Sequence, residues 1–483
     1  MYDVTIIGGG PAGVTAALHA SKLGARVALI ERDRMGGTCT NDGCVPTRVL
    51  AKAARLVWDA RQFDHYGLVG EPPQVRFERL IARTQQVVYQ IQEKKQLIKH
   101  LEESGVDVFH GLGAASFLDP HRIQIGNQHE LESDKVILCA GGHARRLGFP
   151  GAEHTLTHSD IWSLKQLPEK AVIIGSAATG CQLASILAAF GVQVSMLDIA
   201  PLILPVEDET TSVVMQRALE ARGIHIHTQI EDIARIEKDG PNLLLFFSKG
   251  GSVRHLQAGV VILSVGWPAN LEGLNLPAAG VESERGYVQV NDCLQTTAPN
   301  VYAAGDITGR MMLVQSAGYE ARIAAENAVR GTEQDHHHQV VPHGGFTIPE
   351  YGSVGLTESQ ARERGDYLST IVPYTDLDRA VIDGATEGFC KLIVDPEKQT
   401  ILGAHVVGEE AMEIVHLMAA AMAAGSPVST LANLEIAYPT YTAVVGLAAR
   451  KITRRLNDQQ TPQAWHTLTP LPLPEWERRD PEM

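Results

Sequence analysis

The chain of 483 residues is too long for one ordinary hydrophobic core, and two to four domains are expected. Hydrophobic residues at 44% and charged residues at 20% are the balance of a folded globular protein. The formal net charge of −15 argues against nonspecific binding to nucleic acid or to an anionic membrane, both of which need basic patches. The longest apolar stretch, Ala411 to Ala424, carries Glu413 and His416 and is too short to span a bilayer. A strand-like run begins almost at Met1, so no signal peptide is expected. Six cysteines are too few for a secreted disulfide scaffold. The expected compartment is therefore reducing and cytoplasmic, and a disulfide here would be catalytic.

The first element is a strand, Asp3-Val4-Thr5-Ile6-Ile7, leading into Gly8-Gly9-Gly10-Pro11-Ala12-Gly13. An alanine-rich helix follows to Gly24, then a strand from Arg26 to Ile30 that ends on Glu31. This is a βαβ unit with a glycine turn between strand and helix. Gly8 permits the tight turn, Gly10 lets backbone approach a pyrophosphate, and Gly13 lets helix pack on strand. The pyrophosphate sits on the helix N-terminus, where free N–H groups and the dipole favour negative charge, and Glu31 hydrogen-bonds a ribose.

Next comes Gly36-Gly37-Thr38-Cys39-Thr40-Asn41-Asp42-Gly43-Cys44-Val45-Pro46-Thr47-Arg48. Residues five apart in an α-helix have Cα atoms about 8–9 Å apart, whereas a disulfide needs about 4.4–6.8 Å. If Cys39 and Cys44 bond, regular helix cannot join them. Asn41-Asp42-Gly43 is a plausible turn, and Pro46 suits the first turn of a helix that begins near Cys44. A thiol at a helix N-terminus has a lowered pKa. The pair is either a redox couple, two unpaired thiols, or half a zinc site, and no second ligand pair for zinc lies nearby. Phe77 to Glu103 reads as one long amphipathic packing helix.

The pattern of the first unit returns at an offset of 167 residues, Gly8 to Gly175. The second copy runs Ala171-Val172-Ile173-Ile174, then Gly175-Ser176-Ala177-Ala178-Thr179-Gly180, a helix to Gly191, and a strand from Gln193 to Leu197 ending on Asp198. Gly8 to Glu31 and Gly175 to Asp198 are both 23 residues. Ala177 replaces the middle glycine, and its methyl crowds the pyrophosphate. Asp198 accepts from a free 2′-OH and repels a 2′-phosphate, and no Lys or Arg follows until Arg217, so NADH is expected over NADPH. Further on, His336-His337-His338 with His343 reads as a solvated linker rather than a metal site. Cys139, Cys181, Cys293 and Cys390 have no partner spacing and read as small buried or semi-buried residues. The tail from Gln459, with Leu468-Thr469-Pro470-Leu471-Pro472-Leu473-Pro474, reads as a loosely docked or disordered end, with a polyproline ligand as the other reading.

With the two turns and the cysteine segment, the chain resembles the flavoprotein disulfide reductases, among them dihydrolipoamide dehydrogenase, glutathione reductase and mercuric reductase. The resemblance runs from Asp3 to about Thr453. It also rests on Val301-Tyr302-Ala303-Ala304-Gly305-Asp306 and on Pro349-Glu350-Tyr351-Gly352-Ser353-Val354-Gly355-Leu356-Thr357. It implies an α/β fold with two Rossmann-like dinucleotide-binding domains, for FAD and NAD, plus a C-terminal α+β dimerisation domain. The implied boundaries are 1–150 with 270–340 for FAD, 151–269 for the nicotinamide nucleotide, 341–456 for dimerisation and 457–483 for the tail. A homodimer is implied, with the active site completed across it.

The resemblance also implies roles. Gly8, Gly10, Gly13 and Glu31 would hold FAD, with Asp306 reaching the ribityl chain. Gly37, Thr38, Gly113, Ala140, Gly141, Gly305 and Val314 are further expected cofactor contacts. Gly175, Thr179, Gly180, Asp198 and Gly266 are expected around the nicotinamide nucleotide. Cys44 would lie against the flavin as the charge-transfer thiolate, and Cys39 would attack the substrate. Arg48 and Gln182 stand near the flavin where the family often has lysine and glutamate, and the net positive charge should favour the anionic reduced flavin. Disulfide-specific members carry a His-Pro pair and a downstream glutamate, but here the stretch is Ala437-Tyr438-Pro439-Thr440-Tyr441-Thr442-Ala443. Tyr438 takes the histidine position, which weakens acid–base support for disulfide turnover. The tyrosines bring the stretch closer to mercuric reductases, yet no cysteine follows Cys390 to deliver a metal.

Three functions follow as expectations. The first is an NADH-dependent dithiol/disulfide oxidoreductase acting on a small or protein-bound thiol. The second is a mercuric-reductase-like metal-ion reductase. The third is a quinone reductase or regulatory flavoprotein. No nucleic-acid or membrane partner and no resident metal is expected.

Overall fold

A computed structural model describes residues 1–456, so the proline-rich tail lies outside the described residues. The chain divides into two compact units, one of residues 1–201 with 222–338, the other of residues 202–221 with those from Gln339 on.

The first unit is organised by two sheets of the same plan. Its first strand, Tyr2–Ile7, is buried from Val4 onward, because a continuous apolar run suits a parallel strand covered on both faces. It pairs in parallel with Val27–Glu31 on one side and with His129–Leu138 on the other. The strand Val106–His110 adds beyond Val27–Glu31, and Val301–Ala303 adds against His129–Leu138, again in parallel. Two antiparallel strands, Ala115–Phe117 and Arg122–Ile125, complete seven. The second sheet has five parallel strands in the order His225–His227, Gln193–Leu197, Lys170–Ile174, Val260–Leu263 and Leu156–Thr157. A three-stranded antiparallel meander over residues 232–258 interrupts it before Val260, as residues 115–138 do in the first sheet. The 167-residue repeat is thus an architectural one, larger than the glycine turns that reveal it in sequence.

The helix Pro11–Lys22 packs on the first sheet through Ala12, Ala16, Ala17 and Ala20, whose small side chains allow close approach. The long helix expected over residues 77–103 is two helices, Phe77–Lys95 and Leu97–Glu103. Gln96 between them takes a left-handed conformation, φ 42° and ψ 46°, with its N–H on the Gln92 carbonyl. The break re-aims the second helix so that Leu101 is fully buried with Leu29 and Val106 in the core. The sequence has no glycine or proline there, so nothing local announces the turn. The expected solvated linker at His336–His338 is also corrected. His336 is only 4% exposed and His338 is half-buried, while His337 faces solvent.

The second unit is a five-stranded antiparallel sheet in the order His343–Gly345, Tyr351–Gly355, Ile401–Val407, Phe389–Val394 and Leu368–Pro373. Helices Ala411–Ala423 and Ala443–Leu456 supply Ile414, Val415, Met418, Val444, Val445 and Ile452 to its core. Phe389–Val394 is buried throughout, including Lys391. Lys391 Nζ is 2.7 Å from Asp208 and 2.6 Å from Glu358. Among the described residues no helix is long and apolar enough to cross a membrane.

Candidate active site

The two glycine turns are built alike. Gly8 has φ +112° and Gly175 φ +101°, conformations that suit glycine, and a Cβ on either would collide with backbone, Cys139 O at 2.3 Å and Ser264 O at 2.2 Å. A Cβ on Gly13 would lie 1.7 Å from Gly8 O, and one on Gly180 2.0 Å from Gly175 O, which is the close helix–strand packing the third glycine provides. Gly10 differs, since the nearest atom to a Cβ there is Gly37 Cα at 3.7 Å. Protein packing does not require glycine at that point, whereas an incoming pyrophosphate does. Glu31 accepts from Gly9 N–H at 2.7 Å and from Asp33 N–H at 2.7 Å. Asp198 likewise accepts from Ser176 N–H at 2.6 Å and Ala200 N–H at 2.8 Å. Each acid is held at the end of its strand by backbone donors and keeps lone pairs for a ribose.

In open parallel sheets ligands bind at the carboxyl ends of the strands, and the expected cofactor residues gather there. Gly8, Ala140, Gly141 and Gly305 follow the ends of their strands in the first sheet, and Glu31 is the last residue of its own. Gly175, Asp198 and Gly266 follow the ends of theirs in the second. Thr179 lies in the first turn of the second copy's helix. Gly113 has a local packing role, because a Cβ there would lie 2.8 Å from Gly126 Cα. Val314 opens the helix Val314–Arg330 and is exposed.

The Gly305-Asp306 turn returns to the first glycine turn after 292 intervening residues, Gly13 to Asp306. Gly305 has φ +82°, and a Cβ on it would be 3.2 Å from both Ala12 and Ala317 side chains, so two helices pinch the turn. Gly305 N–H donates to buried Glu320 at 2.7 Å. Asp306 accepts from Trp267 Nε1–H at 2.9 Å. Burial raises the Asp306 pKa, with the nearby Glu320 charge adding to it and the Trp267 bond opposing.

The cysteine segment abuts the same turn. Gly36 N–H donates to Gly9 O at 2.9 Å, and a Cβ on Gly37, at φ +62°, would be 2.8 Å from Gly10 Cα. A short helix, Gly37–Asn41, carries Thr38 and Cys39, and a second, Cys44–Ala60, starts on Cys44. Asp42 and Gly43 break the helix between the cysteines, with both N–H groups on Thr38 O. The Cys39 and Cys44 side chains meet in a hydrogen bond. That bond lowers the Cys39 pKa to about 7 against the opposing effect of burial, with the Lys95 charge assisting. Cys44, the donor, is exposed, and the same bond raises its pKa. Arg48 is exposed one helical turn further on, and Gln182 is half-buried with its amide on Ala178 O at 3.2 Å.

Several residues in this region carried no sequence signal. Ser159 Oγ donates to Asp42 at 2.6 Å, and Trp162 Nε1 donates to Asp42 O at 2.8 Å. The Thr157-capped turn over His158–Ser163 therefore clamps the loop between the cysteines. His158 is buried against the Trp267 ring, and burial lowers its pKa despite Asp42 and Asp160. Only Thr157 with Asp160, a capping box, was readable locally.

In the second unit Tyr438 is exposed, and its hydroxyl donates to Asp378 at 2.8 Å, which raises its pKa. Tyr441 is buried and donates to Asp383 at 3.0 Å; burial first and that carboxylate second raise it well above the ordinary range. Cys139, Cys181 and Cys390 are buried and Cys293 half-buried, as expected. Burial pushes the Cys390 thiol up to about 12.

Comparison with known proteins identifies the family. The family model for pyridine nucleotide-disulphide oxidoreductases matches residues 2–321, and that family's dimerisation domain matches residues 341–449. The chain is 32% identical over 423 residues to a dihydrolipoyl dehydrogenase of Zymomonas mobilis, covering 86% of this chain and 90% of that one. It is 30% identical over 452 residues to a mercuric reductase of Staphylococcus aureus, covering 93% and 82%. Among solved structures it is similar to the HOCl-induced flavoprotein disulfide reductase RclA from Escherichia coli in its Cu(II) complex, with TM-score 0.83, 28% identity and coverage of 93% and 99%. The chain belongs to the pyridine nucleotide-disulphide oxidoreductase family, as an FAD-dependent oxidoreductase that uses a nicotinamide nucleotide.

Proposed function

We propose that the chain takes electrons from NADH through the Cys39–Cys44 pair to a disulfide acceptor. The observation that carries this reading is the hydrogen-bonded thiol pair set against the first glycine turn, with Cys39 lowered to about 7. Bound FAD supplies the two-electron relay between nicotinamide and sulfur. The chain's own residues do the rest. The helix N-terminus at Pro11 and the backbone at Gly10 receive the pyrophosphate, and Glu31 and Asp198 take the riboses of the two nucleotides. The Asp198 carboxylate, with no cation before Arg217, favours NADH over NADPH.

In the dithiol state Cys39 thiolate attacks one sulfur of the acceptor and releases the other as a thiolate. Cys44 then attacks Cys39 in the mixed disulfide, freeing the second acceptor thiolate and restoring the Cys39–Cys44 bond. The Cys44 proton and one from solvent neutralise the two products. The balance is NADH, one proton and a disulfide giving NAD⁺ and two thiols.

Homodimerisation is supported by the match to the family's dimerisation domain, and the proposed partition is an FAD domain of 1–150 with 270–340, a NAD domain of 151–269 and a dimerisation domain of 341–456. A cytoplasmic location is supported by the low cysteine content. A second reading, reduction of a thiophilic metal ion, is favoured by Tyr438 and Tyr441 in place of a His-Pro acid–base pair and by the mercuric reductase relatives. Steady-state NADH oxidation with lipoamide, other small disulfides, and Hg(II) in excess thiol separates the two. Turnover with a disulfide supports the first, and turnover with Hg(II) alone overturns it.

A further inference from the structure

The described residues contain a second cluster of ligating side chains, remote in sequence from the cysteines. Glu320, His336 and His338 each place one ligand atom within 4.8 Å of the others. Glu320 is fully buried and His336 nearly so. A buried carboxylate with two imidazoles around one point is costly to assemble unless each group has a partner.

Each residue turns one ligand atom toward the others, and hydrogen bonds already engage these atoms. His336 Nδ1 lies 2.6 Å from Asp292 O, so this nitrogen carries the proton and Nε2 keeps its lone pair. Glu320 gives one oxygen to Gly305 N–H at 2.7 Å and the other to His338 Nε2 at 2.7 Å. The His338 ring packs against the rings of Tyr319 and His336. A backbone acceptor behind one histidine and a backbone donor behind the carboxylate are the outer contacts that orient ligands in metal sites. The group already at the His336 lone pair is itself a cation. Arg310 Nη1 donates to His336 Nε2 at 2.7 Å, while its Nη2 donates to Val290 O at 2.7 Å and Asp292 Oδ1 lies 3.7 Å from Nη1.

We propose that Glu320, His336 and His338 form a divalent metal site, gated by Arg310. Two imidazole nitrogens and one carboxylate oxygen suit a borderline first-row ion such as Zn(II) and do not suit Mg(II) or Ca(II), which take oxygen ligands. In a tetrahedral zinc site ligand atoms are about 3.4 Å apart for bonds near 2.1 Å, so binding opens the Glu320–His338 pair from its 2.7 Å contact. On binding, the His338 proton moves from Nε2 to Nδ1, and the metal takes the place of that proton and of the Arg310 contact. Arg310 keeps Val290 O and the exposed Asp292 carboxylate. Three protein ligands leave one position for water. The site also reaches the cofactor motif, because Glu320 holds the Gly305 N–H just before Asp306.

The test is calorimetric titration of Zn(II) into the FAD-loaded full chain carrying Cys39→Ser, Cys44→Ser and Cys293→Ser, which removes the thiols that are not buried as competing ligands. The expected result is one Zn(II) per chain and a raised thermal midpoint. His338→Phe, and separately His336→Leu, should weaken that event at least tenfold, with flavin retention reporting that the variants fold. Arg310→Met should tighten it by about tenfold, because it removes the competing cation. The proposal is overturned if this cysteine variant takes up no Zn(II), if both histidine variants bind as well as the parent, or if Arg310→Met binds no more tightly.

Discussion

Gly10 and Ala177 share one backbone conformation, φ −76° and ψ −173° against φ −73° and ψ −175°, at equivalent points of the two nucleotide turns. Gly10 is therefore not selected by backbone torsion, and its missing Cβ serves the ligand. Gly10→Ala is expected to keep its fold and to lose FAD affinity by about tenfold or more, the order of a single overpacked methyl. Ala177→Gly should lower the NADH dissociation constant several-fold without touching FAD. Gly13→Ala is the contrasting control, because its Cβ would lie 1.7 Å from Gly8 O and the domain should fail to fold. Fluorescence titration of both nucleotides, with flavin content of the purified variants, checks all three.

The lowered Cys39 pKa has a direct readout. In the reduced chain, thiol alkylation at Cys39 should rise with pH through a midpoint of about 7, the value set by the Cys44 hydrogen bond. Below that pH the thiol is protonated and unreactive; above it the thiolate dominates. Cys44→Ala removes the donor, so the midpoint should move up toward the ordinary thiol value of about 8.5. Lys95→Met should move it the same way by less. An unchanged midpoint in Cys44→Ala would show that the pair is not coupled.

Lys391 tests the second unit. Its ammonium is 2% exposed and sits against Asp208, itself 1% exposed. Lys391→Met leaves that carboxylate buried without its cation, and about 3–5 kcal/mol of unfolding free energy should be lost at neutral pH. Burial raises the Asp208 pKa, but the Lys391 and backbone hydrogen bonds outweigh it and the net shift is downward. In the parent chain this contribution is present above the ordinary Asp value of about 3.9 and disappears as pH falls through the lowered value. In the variant Asp208, left with its backbone donors alone, should protonate more easily, so the destabilisation should shrink near pH 4. Denaturant unfolding at the two pH values measures this.

Tyr438 is tied to Asp378 with its pKa raised, which makes it a poor proton donor and a worse base near neutrality. Tyr438→Phe should therefore change kcat with disulfide acceptors by less than about threefold. A general acid–base group would be worth about 10²–10⁴-fold, and a loss of that size would assign Tyr438 the histidine's role after all.

The nucleotide turns were legible because their chemistry is local. Gly8 and Gly13 answer backbone constraints and Gly10 the approach of a ligand, all within one six-residue run, and Glu31 and Asp198 mark the next strand end at fixed spacing. The cysteine loop was legible for a similar reason, since Asp42-Gly43 must interrupt a helix for Cys39 to face Cys44. What escaped was set by tertiary packing. Gln96 turns left-handed with no glycine or proline to signal it, so that Leu101 can enter the core. Ser159 and Trp162 clamp Asp42 from more than 110 residues away, and no spacing rule reaches that far. His336 reads as polar linker and is buried only because Asp292 O and Arg310 lie where it lands.

The claim that electrons from NADH reach the cysteines is tested most directly by mapping thiols. The air-oxidised, FAD-loaded chain is mixed anaerobically with one equivalent of NADH, alkylated, and digested for mass spectrometry. The account predicts that Cys39 and Cys44 pass from a linked peptide pair to two alkylated thiols as the NADH is consumed, with Cys139, Cys181 and Cys390 unchanged. NADH consumed and flavin bleached while Cys39 and Cys44 stay linked would contradict it.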